Sequence, residues 1–116
     1  MKQSILHNKA LSFAADIVIF YENFLLLKKD NTIAKQLLRS ATSIGANLNE
    51  ATFGNSKADF ISKLHIALKE CSESLYWLEL LKRVDYKISN IKKLISDCNE
   101  IKALLISSIN TAKKSN

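Results

Sequence analysis

The sequence predicts an all-α fold, an antiparallel up-down-up-down left-handed four-helix bundle. Three observations lead there. The 116 residues contain no proline and only two glycines, the residues that helix interiors tolerate least. Four segments repeat apolar side chains at alternating three- and four-residue spacing, which lines one helix face. The stretches between them are short and polar, so consecutive helices must double back on one another. Heptad spacing of this kind goes with a crossing near about +20°.

The first helix is expected over about residues 4–28. Leu6, Ala10, Phe13, Ile17, Phe20, Phe24 and Leu27 form an unbroken core stripe. Leu11, Ala14, Val18, Tyr21 and Leu25 run beside it, so this face is too wide for a single packing partner. It must lie centrally in the bundle or meet another subunit. The second helix is expected over 33–52, with Ile33, Leu37, Ala41, Ile44, Leu48 and Ala51 inward. Asn31 or Thr32 can cap it, and Gly54 suits a left-handed terminating residue. Ser56 with Asp59 three residues later reads as a capping box for the third helix, 57–84, whose stripe is Phe60, Leu64, Ala67, Cys71, Leu75, Leu78 and Leu81. Trp77, Leu80 and Val84 add an apolar row that a lone bundle would leave exposed. Ser89 opens the fourth helix, 90–113, with Ile91, Ile95, Cys98, Leu105, Ile109 and Ala112 inward and Lys102 interrupting the stripe by snorkelling.

A single domain, residues 1–116, accommodates all four helices. Its 47% apolar and 24% charged residues exclude wholesale disorder. Cys71 and Cys98 are too few for a disulfide framework and read as two small buried thiols in a reducing compartment. Metal binding has no support, because no CxxC is present and His7 and His65 lack a ligand partner at helical spacing. The apolar run 10–27 is interrupted by Asp16, Glu22 and Asn23. It therefore reads as an amphipathic helix of a cytoplasmic protein, without a membrane partner.

No catalytic set stands out and no cofactor is implied. Glu70, Glu73 and Glu79 lie among Lys69, Lys82 and Arg83, as on a solvated, ion-paired face. The charge map says more. In an up-down bundle the first and third turns share one end, where Lys28, Lys29, Lys35, Arg39, Lys82, Arg83, Lys87, Lys92 and Lys93 face only Asp30, Glu79 and Asp85. That excess equals the whole net charge of the chain, +6. Helix-dipole preference accounts for Lys28, Lys29, Lys82 and Arg83 near helix C-termini. It does not account for Lys35, Arg39, Lys92 and Lys93, which follow helix starts. The concentration suits a phosphate backbone, so these nine residues are the candidate nucleic-acid contacts, with stacking by Tyr86 conceivable.

In the second helix Arg39, Ser43, Asn47 and Glu50 form a polar row flanked by Ala41, Gly45 and Ala46. Small residues let another backbone come close, and an interior glycine costs about 1 kcal/mol against alanine unless packing requires it. Arg39, Ser43, Gly45, Asn47 and Glu50, with Tyr76, Trp77 and Leu80, are therefore the expected helix or subunit seam.

The stretch "QLLRSATSIGANLNEATFGNSKADFISKLHIALKECSESLYWLELL" (36–81) resembles the 23S rRNA intervening-sequence proteins, a four-helix-bundle family. Arg39, Ser40, Ser43, Ile44, Asn47, Glu50, Ser56, Asp59, Phe60, Tyr76, Trp77 and Leu78 match its pattern. Ala51 stands where many relatives have glycine and Cys71 where alanine is common. The first and last helices match by pattern only. The resemblance implies a homopentamer without enzymatic activity. The family is also similar to accessory proteins of diversity-generating retroelements, basic pentamers that bind nucleic acid and a reverse transcriptase. The favoured function is thus a non-catalytic oligomeric bundle that binds structured RNA or DNA through its basic end. The alternative is a protein–protein scaffold whose positive charge serves solubility.

Overall fold

A computed structural model describes residues 2–27, 30–84 and 90–115. They form four helices, α1 (Lys2–Leu27), α2 (Thr32–Thr52), α3 (Lys57–Arg83) and α4 (Ile91–Lys114). The body measures 50 × 21 × 19 Å, one helix length by two helix diameters. Each helix packs against two neighbours, and among the described residues no diagonal pair brings its Cα atoms within 8 Å. Cross-helix pairs run in opposite directions along the chain. Lys9 meets Glu100 and Asp16 meets Lys93 between α1 and α4. Ser40 meets Ser74 and Glu50 meets Lys63 between α2 and α3. Every adjacent pair is therefore antiparallel, as short turns demand.

The core is continuous from end to end. Leu6, Ala10, Phe13, Ile17, Phe20 and Phe24 are buried from α1, and Leu37, Ala41, Ile44, Leu48 and Ala51 from α2. From α3 come Leu64, Ala67, Cys71, Leu78 and Leu81. Several expectations shift by a fraction of a turn. Leu27, the last residue of α1, is 78% exposed and not part of the core. Ala34 is buried and Ile33 only half-buried, and Phe60 and Leu75 pack on the rim of the core. In α4 the stripe is Ile91, Leu94, Cys98, Ile101, Leu105 and Ile109, with Ile95 and Ala112 half-buried. Ile101 fills the level assigned to Lys102, so the stripe is not interrupted, and Lys102 lies half-buried beside it.

The caps also differ in part. Ser56 Oγ accepts a hydrogen bond from the Asp59 backbone N–H at 3.1 Å, as the capping box requires. At α2 the cap comes from neither Asn31 nor Thr32. Asp30 Oδ1 accepts from the Thr32 N–H at 3.0 Å and the Thr32 hydroxyl at 2.8 Å, which holds its carboxyl below the usual carboxylate range. Asn31 instead donates to the Tyr21 hydroxyl at 3.3 Å, tying the turn back onto α1. Asn90 precedes α4 without a side-chain cap bond, and Ser89 lies outside the described residues.

Gly54 does not terminate α2 in a left-handed conformation. Phe53 closes the helix at φ −103°, its N–H bonding back to the Glu50 carbonyl and the Gly54 N–H to the Ala51 carbonyl, each at 3.1 Å. Gly54 instead sits in a tight spot, because a Cβ there would stand 3.2 Å from the Ala51 carbonyl oxygen, which the helix end holds in place, and 2.8 Å from Asp59 Oδ2, a side-chain end that can swing away. Gly45 is the opposite case. Its added Cβ would meet only Ala10 Cβ, at an ordinary 3.8 Å, so the approach of α1 to α2 does not require glycine. Gly45→Ala should accordingly stabilise the bundle by up to about 1 kcal/mol. Gly54→Ala should destabilise it, and urea unfolding of the two variants would show the opposite signs.

Two serines are fully buried where α2 meets α3, with Ser40 Oγ 2.7 Å from Ser74 Oγ. The Leu37 carbonyl lies 3.2 Å from Ser40 Oγ, and the Glu70 carbonyl 2.9 Å from Ser74 Oγ. Two hydroxyl protons therefore serve one bond across the helices and one back to a helix carbonyl. Replacing either serine with alanine should cost about 1 kcal/mol, since the cross-helix bond is lost while the remaining hydroxyl keeps its carbonyl. Replacing both should cost less than the sum, because the one shared cross-helix bond is already lost in either single variant. A double-mutant cycle by denaturant unfolding measures this coupling.

Candidate nucleic-acid interface

The C-termini of α1 and α3 and the N-termini of α2 and α4 meet at one end of the bundle. Lys28, Lys29, Tyr86 and Lys87 lie outside the described residues. The remaining six expected basic contacts separate into two groups. Lys35, Lys82, Arg83 and Lys92 are exposed and have no ion-pair partner among the described residues. Arg39 and Lys93 are engaged within the chain. Arg39 reaches across to α3, with one terminal nitrogen 3.5 Å from Glu70 Oε1 and the other paired with Glu73. Lys93 Nζ lies 2.7 Å from Asp97 and 3.5 Å from Asp16 on α1. The Asp97 hydrogen bond and charge, with a lesser contribution from Asp16, hold this ammonium above the usual lysine range.

The four unpaired cations come from α2, α3 and α4, so the end surface is assembled by the bundle and by no single helix. On the acidic side, Asp30 is turned onto Thr32 and Glu79 is exposed on α3. Exposed ammonium and guanidinium groups on a rigid frame can neutralise phosphates without first breaking an internal pair.

The polar row of α2 faces α3. Besides Arg39, Glu50 pairs with Lys63 at 3.2 Å. Ser43 donates to the Arg39 carbonyl at 2.7 Å, and Asn47 to the Ser43 carbonyl at 2.8 Å. The row thus flanks the α2–α3 seam inside one chain, with the Arg39 pairs beside the buried serines and the Glu50–Lys63 pair further along. Gly45 sits on the other flank, toward α1. Trp77 and Leu80 are half-buried, and Trp77 packs against the core with its Nε1 buried and lacking a partner among the described residues. Tyr76 is 63% exposed and stands edge-on to Trp77 with ring centroids 5.2 Å apart. Glu70 and Glu73 were the missed partners. Their three-residue spacing places both on one flank of α3, but only the α2–α3 register shows that this flank faces Arg39.

A larger apolar surface lies on α1. Leu11, Val18 and Leu25 repeat every seven residues on its outer side, joined by Ile19 and Leu26, and all five are exposed. Residues 5–27 have a mean hydropathy of 1.6, which by length and composition would suffice to cross a membrane. In the bundle the opposite side of this helix forms part of the core. An open groove of about 250 Å³ between α1 and α4 is lined by the Lys9–Glu100 and Lys93–Asp16 pairs and by Asp97. A second, of about 570 Å³, lies beside the 53–56 turn and is lined by Thr52, Ser56, Ser108 and Thr111. Among the described residues no three His, Cys, Asp or Glu side chains gather in a way that could hold a metal ion.

Comparison with known proteins agrees with this architecture. No curated protein matches the chain. A solved structure from Bacteroides thetaiotaomicron, a protein of unknown function from the S23 ribosomal protein family, is 47% identical and superposes with a TM-score of 0.91, covering 95% of this chain and 99% of that one. The profile of the 23S rRNA-intervening sequence proteins matches residues 2–107, nearly the full extent of the four helices. The chain therefore belongs to the 23S rRNA-intervening sequence protein family.

Proposed function

We propose that this protein is a non-catalytic, cytoplasmic helical bundle that assembles with copies of itself and binds structured RNA or DNA through its basic end. The observation that carries the reading is the set of exposed cations Lys35, Lys82, Arg83 and Lys92, drawn from three helices and free of ion pairs among the described residues. Arg39 and Lys93 act in this reading as structural charges. Self-assembly, as a homopentamer, is supported by the family resemblance of residues 36–81 and by the exposed apolar row of α1. Repeating a four-cation patch around a ring would multiply weak phosphate contacts through avidity. The apolar row also favours a second reading, a protein–protein scaffold with no nucleic-acid role.

The two readings separate by salt. Each phosphate neutralised contributes a slope of roughly −0.9 to log K against log salt on a duplex. Affinity for structured RNA should fall steeply between low and physiological salt. Lys82→Glu with Arg83→Glu should weaken binding at least tenfold, while Lys93→Ala should change it little. Fluorescence anisotropy measures all three. Absence of salt-sensitive binding at low ionic strength would leave only the scaffold reading.

Assembly is tested independently. Native mass spectrometry of the purified chain at micromolar concentration should show a pentamer. Leu11→Lys with Leu25→Lys should shift it to monomer with unchanged helical circular dichroism, because both side chains lie outside the core. A monomeric wild-type chain would overturn this part of the proposal.

A further inference from the structure

The interior holds one reactive pair that the proposed function does not use. Cys71 on α3 and Cys98 on α4 are both fully buried, and their sulfurs lie 3.7 Å apart. Each thiol also faces the other's backbone carbonyl, Cys71 Sγ at 3.4 Å from the Cys98 oxygen and Cys98 Sγ at 3.5 Å from the Cys71 oxygen. The two residues therefore occupy the same level of two antiparallel helices, with their side chains directed at each other. They are also the only two cysteines of the chain. A disulfide needs sulfurs about 2.05 Å apart, so the pair must close by less than 2 Å, within reach of side-chain rotation and a small helix shift.

We propose that Cys71 and Cys98 form an intrachain disulfide when the protein meets a small two-electron oxidant of the peroxide class, stapling α3 to α4. Either thiol can act first, since each faces the other in the same way. With Cys71 leading, the Cys98 hydrogen bond lowers the Cys71 thiol below the usual range against the opposing effect of burial, and the Lys102 ammonium adds to the lowering. Cys98 is pushed far up, chiefly by donating to Cys71 and by burial. The Cys71 thiolate attacks one peroxide oxygen and the O–O bond breaks. Cys71 becomes a sulfenic acid, and the departing hydroxide leaves as water with the proton that Cys71 gave up. Cys98 sulfur then attacks Cys71 sulfur, the S–S bond forms, the S–O bond breaks, and the second hydroxide leaves as water with the Cys98 proton. Two thiols lose two protons and two electrons, and one peroxide becomes two waters. Burial of both sulfurs confines the reaction to an oxidant small enough to enter through local opening of the α3–α4 pair.

The bridge would close a segment that contains the turn between α3 and α4 and would remove freedom from the unfolded chain. For a loop of this length it should raise the thermal midpoint by about 10 °C. The experiment treats the full-length native protein with hydrogen peroxide and reads intact mass, peptide map and melting curve, before and after dithiothreitol. The expected product is a chain lighter by two hydrogen atoms and not bridged to another chain, with a Cys71–Cys98 cross-linked peptide and a raised midpoint, all reversed by the reductant. Cys98→Ser should show no such mass loss and no rise in midpoint. Oxygen addition without cross-linking, bridging between chains, or an intrachain bridge that lowers the midpoint would each overturn the proposal. Because the primary readout is the wild-type chain, a variant that folds poorly leaves the result decisive.

Discussion

The register of α2 against α3 is the constraint from which the rest of the molecule takes its shape. Two small buried hydroxyls, Ser40 and Ser74, meet there at 2.7 Å and can do so at one alignment only. Arg39 then falls opposite Glu70 and Glu73, and Glu50 opposite Lys63. A shift of one turn would strand polar groups in the core, a cost comparable to a sizeable part of a small domain's net stability. A purely apolar seam would hold the helices together without naming the alignment so sharply. The surface ion pairs contribute little energy individually and act here as markers of register.

Charge is spent in two ways on this frame. Some cations close gaps between helices, as Arg39 does between α2 and α3 and Lys93 does between α1 and α4. Others sit at helix ends with open space around them. The distinction matters because a phosphate approaching Arg39 would have to compete with two carboxylates already in place, whereas Lys82 and Arg83 hold no ion pair among the described residues. The electrostatic character of the end therefore depends less on how many basic residues it holds than on which of them the fold has already neutralised.

Helix number, order and boundaries were legible in the sequence to within two residues, because the alternation of three and four has no competing reading in a chain without proline. The cores of α1 and α2 were legible for the same reason, apart from Leu27 and Ile33 at the helix ends. What stayed hidden depended on pairwise geometry. Ile101 and Lys102 are adjacent, and only the rotation of α4 against its neighbours decides which of them enters the core. Ser40 and Ser74 are polar, so a pattern of apolar residues passes over them, although each is satisfied by the other. Asp30 displaced Asn31 as the cap of α2 because Asn31 is drawn to Tyr21, a contact ten residues away in the chain. For the candidate site, the basic end was visible as composition. The division between paired and unpaired cations was not, since Arg39 and its carboxylates lie more than thirty residues apart.

Trp77 is the only tryptophan of the chain. It lies on α3 one turn and a half before Lys82 and Arg83, edge-on to an exposed tyrosine, with its indole N–H buried and lacking an acceptor among the described residues. An indole in that position is half-buried, and its excited state is sensitive to any dipole or quencher brought near. The protein thus carries an intrinsic optical reporter at the border between its packed interior and its basic end. Stacking of a nucleobase on Tyr76, or a small rotation of α3, would register as a change in the colour or lifetime of that single emitter.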